Sequence, residues 1–447
     1  MIALSSLARF TPPLDRQIID EDFLDDPYPT YQVLRDAGPI HWSDEFFDGA
    51  WLLTRHEDVE AMLRDPRFSA RRTGGWVMNS GEGARNELKG FQQLFARAML
   101  FLDAPDHSRI RRVMQAGFRP DALQALRPYV KTLVDELLDG VDAARGFDFM
   151  QRLARPLPAR VIAKLMGVAI DGDNHFVDWS DDLAAFIGAP RPTLEQARRA
   201  QTCLLGMSRY FESYLASGGA QEGMVGCLAR AKDDGTIADD AELLAQCAML
   251  LFAGHETTRN LLGNGLYHLL ARPGLWGELR SEPQRLTGAV RELLRFDSPV
   301  QYTGRRVTTD LVWHGQPLRK GELVLGLIGS ANRDPRRYER PDQIDLARRA
   351  FAPLSFGSGP HVCIGAALTM LEAEVVFSEL MCRWPSLTMS TPVARWNRNP
   401  VYRGLEALHV HAPASRERLT LLSETRPLKQ VVERACVLVQ LEQHRAK

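Results

Sequence analysis

One of the six cysteines stands apart from the others. Cys203, Cys227, Cys247, Cys382 and Cys436 sit in helical or apolar surroundings, the usual place of inert thiols. Cys363 lies in Phe356-Gly357-Ser358-Gly359-Pro360-His361-Val362-Cys363-Ile364-Gly365, directly before the helical run Ala366 to Leu380. A thiolate bound to iron in a large flat cofactor needs glycines for close backbone approach. It needs N–H groups and a helix start to hold charge on sulfur. It also needs an apolar shield, a role Phe356 can fill. A tight turn capped by a core cysteine would explain an isolated Gly-x-Gly but not the whole string.

Other cysteine chemistry fits less well. No Cys-x-x-Cys pair exists, and His361 with Cys363 is too close for the common zinc spacings. A Cys nucleophile with His361 as base would lack a nearby acid to orient the pair.

The string Phe-Gly-x-Gly-x-His-x-Cys-x-Gly resembles the haem-binding loop of the cytochrome P-450 superfamily. By that resemblance Cys363 is the metal ligand, a proximal thiolate to haem iron that favours O–O cleavage. Phe356 and Gly365 flank the haem, and His361 falls where the family places a propionate donor. Ala253-Gly254-His255-Glu256-Thr257-Thr258 would alone read as an ordinary helix with a costly glycine and a solvated acid. Beside the loop it resembles the family's oxygen-activation sequence. Thr257 is then the proton relay and Glu256 the carboxylate that draws protons from solvent. Ala253 and Gly254 border the haem, Gly254 leaving room for dioxygen, and His255 makes no iron contact.

Three further stretches resemble family signatures. His107 and Arg111, i and i+4 on one helix face, match a pair that binds a haem propionate. Arg305, five residues before Asp310, matches a second propionate contact, with Arg306 an alternative register. Glu292 and Arg295, with Arg348, match a structural ion-pair element and are assigned to folding. The signatures at Asp26-Pro27-Tyr28-Pro29 and Ala331-Asn332-Arg333-Asp334-Pro335 extend the resemblance over roughly Asp22 to His411.

The resemblance implies a haem-thiolate monooxygenase with haem b, O2 as co-substrate, and electrons from NAD(P)H. A Gly-x-Gly-x-x-Gly entering a helix and an iron–sulfur cysteine spacing are both absent. A separate ferredoxin and its reductase are therefore the expected donors, docking on a basic patch that includes Arg109, Arg112 and Arg349. The substrate is a small, secondary-metabolite-like molecule in an apolar pocket. Its expected walls are the Thr73 to Phe101 loop, the Leu250 to Thr258 helix turn and Val300 to Thr303. The alternatives are a peroxide-using or oxidative-coupling haem-thiolate enzyme, or a non-catalytic haem-binding sensor.

The elements that must position these residues are mainly helices. Leu123, Leu126, Val130, Leu133, Val134, Leu137 and Leu138 recur at helical spacing, as do Leu204, Met207, Tyr210, Phe211 and Leu215. Residues 241–271 read as one long helix, weakened at Gly254, Gly263 and Gly265 by about 1 kcal/mol each unless something presses against them. Short helices are expected over 31–37 and 56–63. Strands are expected over 51–54, 306–311, 323–328 and 405–410, with a Gly-rich loop over 73–90. The fold class is mainly α with small β-sheets, a cytochrome P-450 fold in a single haem domain over 1–412. Residues 413–447 form an extension in which Leu428, Val431, Val432, Ala435 and Leu438 could make an amphipathic helix.

Composition sets the outer bounds. Apolar residues are 45% and charged residues 25%, which excludes disorder as the main state. Lys+Arg at 55 against Asp+Glu at 56 gives no bulk charge for nucleic acid. A spanning helix needs about 20 consecutive apolar residues, and the chain has no such run. The start reads as no export signal, so the expected compartment is the cytoplasm and no membrane partner is expected.

Overall fold

The computed structural model describes residues 9, 11–46, 49–72, 82–168, 176–218, 222–349, 352–391 and 393–413. Its centre is one helix, Asp240–Ala271, of 32 residues. At 1.5 Å per residue it runs about 48 Å. Asp239 caps its start by accepting from the Glu242 N–H at 2.8 Å. Leu, Ala, Cys and Phe side chains are buried all round it, as expected of a helix inside a core rather than on a surface.

The helix interior carries its three glycines because other elements cross there. A Cβ on Gly254 would lie 2.6 Å from Ile162 Cγ1, on the helix Pro156–Met166. Gly265 meets Phe377 on the helix Ala366–Arg383, and Gly263 meets Met150. The helices Phe176–Gly188 and Leu194–Ala216 pack on the central one, and Pro120–Leu138 packs on Ala366–Arg383 and Pro156–Met166. Leu204, Met207 and Phe211 are buried, as are Leu123, Val130, Leu133, Val134 and Leu138, matching the helical periods read from sequence.

A five-stranded sheet lies to one side, in the order Ile40–Ser43, Ala50–Leu53, Leu323–Gly326, Thr303–Val307, Phe68–Ser69. Ala50–Leu53 and Leu323–Gly326 pair in parallel, and the other pairs are antiparallel. Trp51, Leu53, Val59, Met62 and Val324 form a second core between this sheet and the helix His56–Arg64.

Three expectations need correction. The stretch 306–311 is not one strand: Thr303–Val307 ends, a turn follows, and Leu311–Trp313 starts a separate hairpin with Gln316–Leu318. Thr308 bonds back to the Arg67 carbonyl and Asp310 accepts from the Lys320 N–H, which fixes that turn. The stretch 405–410 splits into Leu405–Ala407 and His409–His411, which belong to different sheets. The described part of 73–90 is helical, with Glu82–Glu87 followed by Lys89–Phe95. Residues 73–81 and the C-terminal stretch from Leu428 to Leu438 lie outside the described residues.

The ion-pair element closes as the sequence suggested. Glu292 takes two contacts of 2.8 Å from Arg295 and two of 3.0 Å from Arg348. Arg295, wholly buried, spends its other N–H groups on the carbonyls of Asn332, Pro341 and Gln343. A second buried centre was not foreseen. Asp297 accepts from Tyr28 at 2.8 Å, Arg403 at 3.1 Å and His268 Nε2 at 2.8 Å. Arg403, His268 and Arg333 hold the Asp297 carboxyl far below its ordinary range, against the opposing effect of burial. His268 is itself shifted down, by burial first, so the pair is best described as a carboxylate beside a neutral imidazole. Its Nε2–H donates to Asp297 and its Nδ1 accepts from Arg272 at 2.8 Å. Among the described residues, no helix is long and apolar enough to cross a membrane.

Candidate active site

The Cys363 loop is shaped by its glycines and tied down on three sides. Gly357 and Gly359 take φ of 72° and 71°, the left-handed region that glycine enters without strain. A Cβ on Gly359 would also lie 2.9 Å from the Leu63 carbonyl, so the loop sits directly on the end of the helix His56–Arg64. Arg64 donates to Ser358 at 2.9 Å. Asn332 donates to Ser355 at 2.9 Å and to Ser298 at 2.8 Å, and accepts from the Leu354 N–H at 2.8 Å. Within the loop, Cys363 N–H donates to the Phe356 carbonyl at 2.8 Å. These contacts fix the backbone that carries Cys363.

A cavity of about 380 Å³ separates this loop from the central helix. Cys363, His361 and Phe356 line one side; Ala253, Glu256 and Thr257 line the other. Cys363 has exposed surface, yet its sulfur lies deep in the fold, so the surface it shows is toward the cavity. Burial raises its thiol pKa, opposed by the Gly365 and Ala366 N–H groups and by the Arg111 charge. Those two amides begin the helix Ala366–Arg383, the arrangement expected of a sulfur that is to carry negative charge.

The sequence-derived basic residues converge on the same cavity. His107 is buried with Nε2 unpartnered among the described residues, and its ring centroid lies 4.0 Å from that of His361. Burial and neighbouring cations push His361 down to about 3. Arg305 is buried with its charge pushed down to about 9, by burial and then by Arg72. Successive strand residues face opposite ways. Arg306 accordingly turns to the Gly321 carbonyl at 2.6 Å, leaving Arg305 as the buried member of that pair.

The central-helix residues divide. Ala253 and Thr257 line the cavity, and among the described residues the Thr257 hydroxyl is held by a long 3.4 Å bond to the Ala253 carbonyl. Gly254 does not line it: its missing side chain makes room for Ile162, not for a ligand. His255 points away, to the Arg155 carbonyl at 3.0 Å. Glu256 is no solvated acid but is buried, its Oε1 taking Arg259 at 2.6 Å and Asn260 at 3.2 Å while Oε2 has no partner among the described residues. Burial raises its pKa, and Arg259 only partly offsets this. Arg259 also donates to Asp181 at 2.7 Å, and Asp181 accepts from Arg155 at 2.5 Å. Arg259, Asp181 and Arg155 line a smaller cavity of about 200 Å³ behind the helix.

Of the expected docking arginines, Arg109 is committed internally. It makes contacts of 2.8 and 2.7 Å to Glu242 and bonds the Thr236 carbonyl. Arg112 and Arg349 are exposed. Sequence reasoning also missed Arg72, which lines the cavity. Only the i, i+3 spacing of Glu256 and Arg259 was a signal for any of the missed contacts.

A cysteine loop facing an acid–threonine helix turn across a cavity rimmed by arginines and histidines is the site of a haem-thiolate protein. The family model Cytochrome P-450 matches residues 220–389. The chain is 36% identical over 416 residues to the cytochrome P-450 monooxygenase PikC of Streptomyces venezuelae, covering 91% of this chain and 96% of that protein. It is 35% identical over 393 residues to nocardicin C N-oxygenase of Nocardia uniformis subsp. tsuyamanensis, covering 85% and 94%. The structure of P-450 BioI bound to an acyl carrier protein carrying hexadec-9Z-enoic acid superposes with TM-score 0.80 at 30% identity, covering 88% and 99%. The chain belongs to the cytochrome P-450 family. It is a monooxygenase that uses haem b, O2 and NAD(P)H-derived electrons passed on by redox partners.

The residues present fit a haem. The cavity offers one sulfur flanked by N–H donors, a buried unpartnered imidazole nitrogen, and buried guanidiniums with no carboxylate partner among the described residues. Two propionates and a thiolate-bound iron are the complement of such a set.

Proposed function

We propose that this protein inserts one atom of O2 into a small, secondary-metabolite-like organic substrate, using electrons from a separate ferredoxin and its reductase. What carries the reading is a single cavity lined at once by Cys363 and by Glu256 and Thr257. Each turnover consumes two electrons and two protons, and the second oxygen atom leaves as water.

Bound haem would supply the activation of O2 and the transfer of the oxygen atom. Cys363 would hold the iron, with the Gly365 and Ala366 N–H groups and Arg111 favouring negative charge on its sulfur against the effect of burial. His107, Arg111, Arg305 and His361 would hold the propionates, while Phe356, Gly365 and Ala253 border the ring. Phe101, Phe252, Leu250 and Val300 give the substrate space an apolar wall that excludes bulk water. Thr257 would hold a proton at its hydroxyl, which its weak bond to Ala253 leaves free to turn. Glu256 would replenish that proton. Its raised pKa brings it closer to neutral pH, where a carboxyl both takes and gives a proton readily. The same reading takes 1–412 as the haem domain, 413–447 as an appended segment, and the cytoplasm as the compartment. Arg112 and Arg349 remain members of the donor-docking face.

The test is Thr257→Ala in the reconstituted enzyme. The variant should keep its stability and its electron consumption but form much less product per electron pair. Unchanged coupling would refute the relay role.

A further inference from the structure

Arg72 has no place in the site as so far described, and its surroundings ask for an anion. It follows the edge strand Phe68–Ser69, and the part of it that stays exposed faces the cavity. Its one hydrogen bond among the described residues goes to the Gly304 carbonyl at 3.2 Å, an acceptor it shares with Arg305 at 2.8 Å. Its guanidinium carbon lies 4.9 Å from the Phe101 ring centroid. Arg72 and Tyr402 line the same cavity. Burial pushes Arg72 down to about 10.

Asp103, the carboxylate whose charge reaches Arg305, is already engaged. Asp103 accepts from the Ser69 hydroxyl and, at 2.8 Å, from the Ala70 N–H. Two guanidiniums that share one neutral carbonyl against aromatic walls are costly to bury. A carboxylate, which a guanidinium grips through two parallel N–H bonds, removes that cost.

We infer that Arg72 anchors a carboxylate inside this cavity, contributed either by the substrate or by a haem propionate. The inference rests on the cavity being the haem and substrate chamber. In the first case the natural substrate is an organic acid; in the second Arg72 is a further haem-holding residue beside Arg305.

The test compares wild type, Arg72→Gln and Arg72→Lys holoenzymes in two assays. One is the rate of haem transfer to excess apomyoglobin. The other is calorimetric binding of decanoic acid against decanamide, a neutral molecule of the same shape. Haem uptake by the wild type is read first. Its failure would overturn the proposed function and leave the calorimetry to judge Arg72. If the substrate supplies the carboxylate, R72Q should weaken decanoate binding by about 10- to 100-fold, leave decanamide unchanged and release haem normally. If a propionate supplies it, R72Q should release haem faster by a similar factor and bind both probes as wild type does. In either case R72K should recover part of the loss, because it keeps the charge without the two-pronged grip, and it stands in should R72Q not fold. The inference is overturned if haem release and the preference for acid over amide are both unchanged, or if both probes weaken equally at normal haem release.

Discussion

Gly254→Ala separates two reasons for a glycine in the centre of the long helix. If the position exists to leave room for dioxygen, alanine should spare stability and harm the reaction. The structure gives the opposite reason: a Cβ there would lie 2.6, 2.8 and 3.1 Å from Cγ1, Cδ1 and Cβ of Ile162. The last of these is the branch point of a stiff side chain, so rotation cannot clear all three contacts. Overpacking of this kind costs about 1–3 kcal/mol. Alanine returns about 1 kcal/mol in helix propensity, which leaves a net loss of about 0–2 kcal/mol. At about 2.1 cal/mol/K per residue over ~400 residues, that lowers the holoenzyme Tm by no more than about 2–3 °C. The decisive experiment is therefore the cycle with Ile162→Ala. Once Ile162 is truncated the clash is gone, and G254A should become stabilising by about 1 kcal/mol, a change of sign with a coupling of about 1–3 kcal/mol. Thermal melts of wild type, both single variants and the double variant measure it. Additivity within about 0.5 kcal/mol would refute the packing account.

Two further substitutions probe the buried charge centres. Glu292→Gln leaves the Arg295 and Arg348 guanidiniums without their counter-charge and should cost about 3–5 kcal/mol in melts or denaturant titrations. Asp297 is ionised in the fold far below its unfolded value near 3.8, so its stabilisation is complete above that value and is lost as pH falls below it. Asp297→Asn should lower Tm at neutral pH and flatten its decline below about pH 4, and a Tm–pH curve parallel to wild type would contradict this.

Much of the site was legible because its chemistry is written in short contiguous strings. The loop from Phe356 to Gly365 and the turn from Ala253 to Thr258 declare both walls of the cavity. The meeting of Glu292, Arg295 and Arg348 was legible through the family resemblance. What was not legible depends on residues far apart in the chain. The reason for Gly254 lies on another helix at Ile162. Glu256 reads as a solvated acid until Arg259 and Asp181 close over it. Arg109 reads as a docking charge until Glu242 takes it inward. Nothing local marks Arg72, whose meaning comes from sharing the Gly304 carbonyl with Arg305. The strand error at 306–311 has the same root, since a β-rich composition hides a turn that the Lys320 N–H and the Arg67 carbonyl hold in place.

Haem ligation in this fold turns on the sulfur of Cys363. The most direct measurement is the absorption spectrum of the reduced, carbon-monoxide-bound holoenzyme, taken for wild type and for Cys363→Ser. The wild type should show the red-shifted Soret band of thiolate-ligated haem, and the serine variant should lose it. A wild type without that band, or a variant that retains it, would contradict the assignment of Cys363 as the iron ligand.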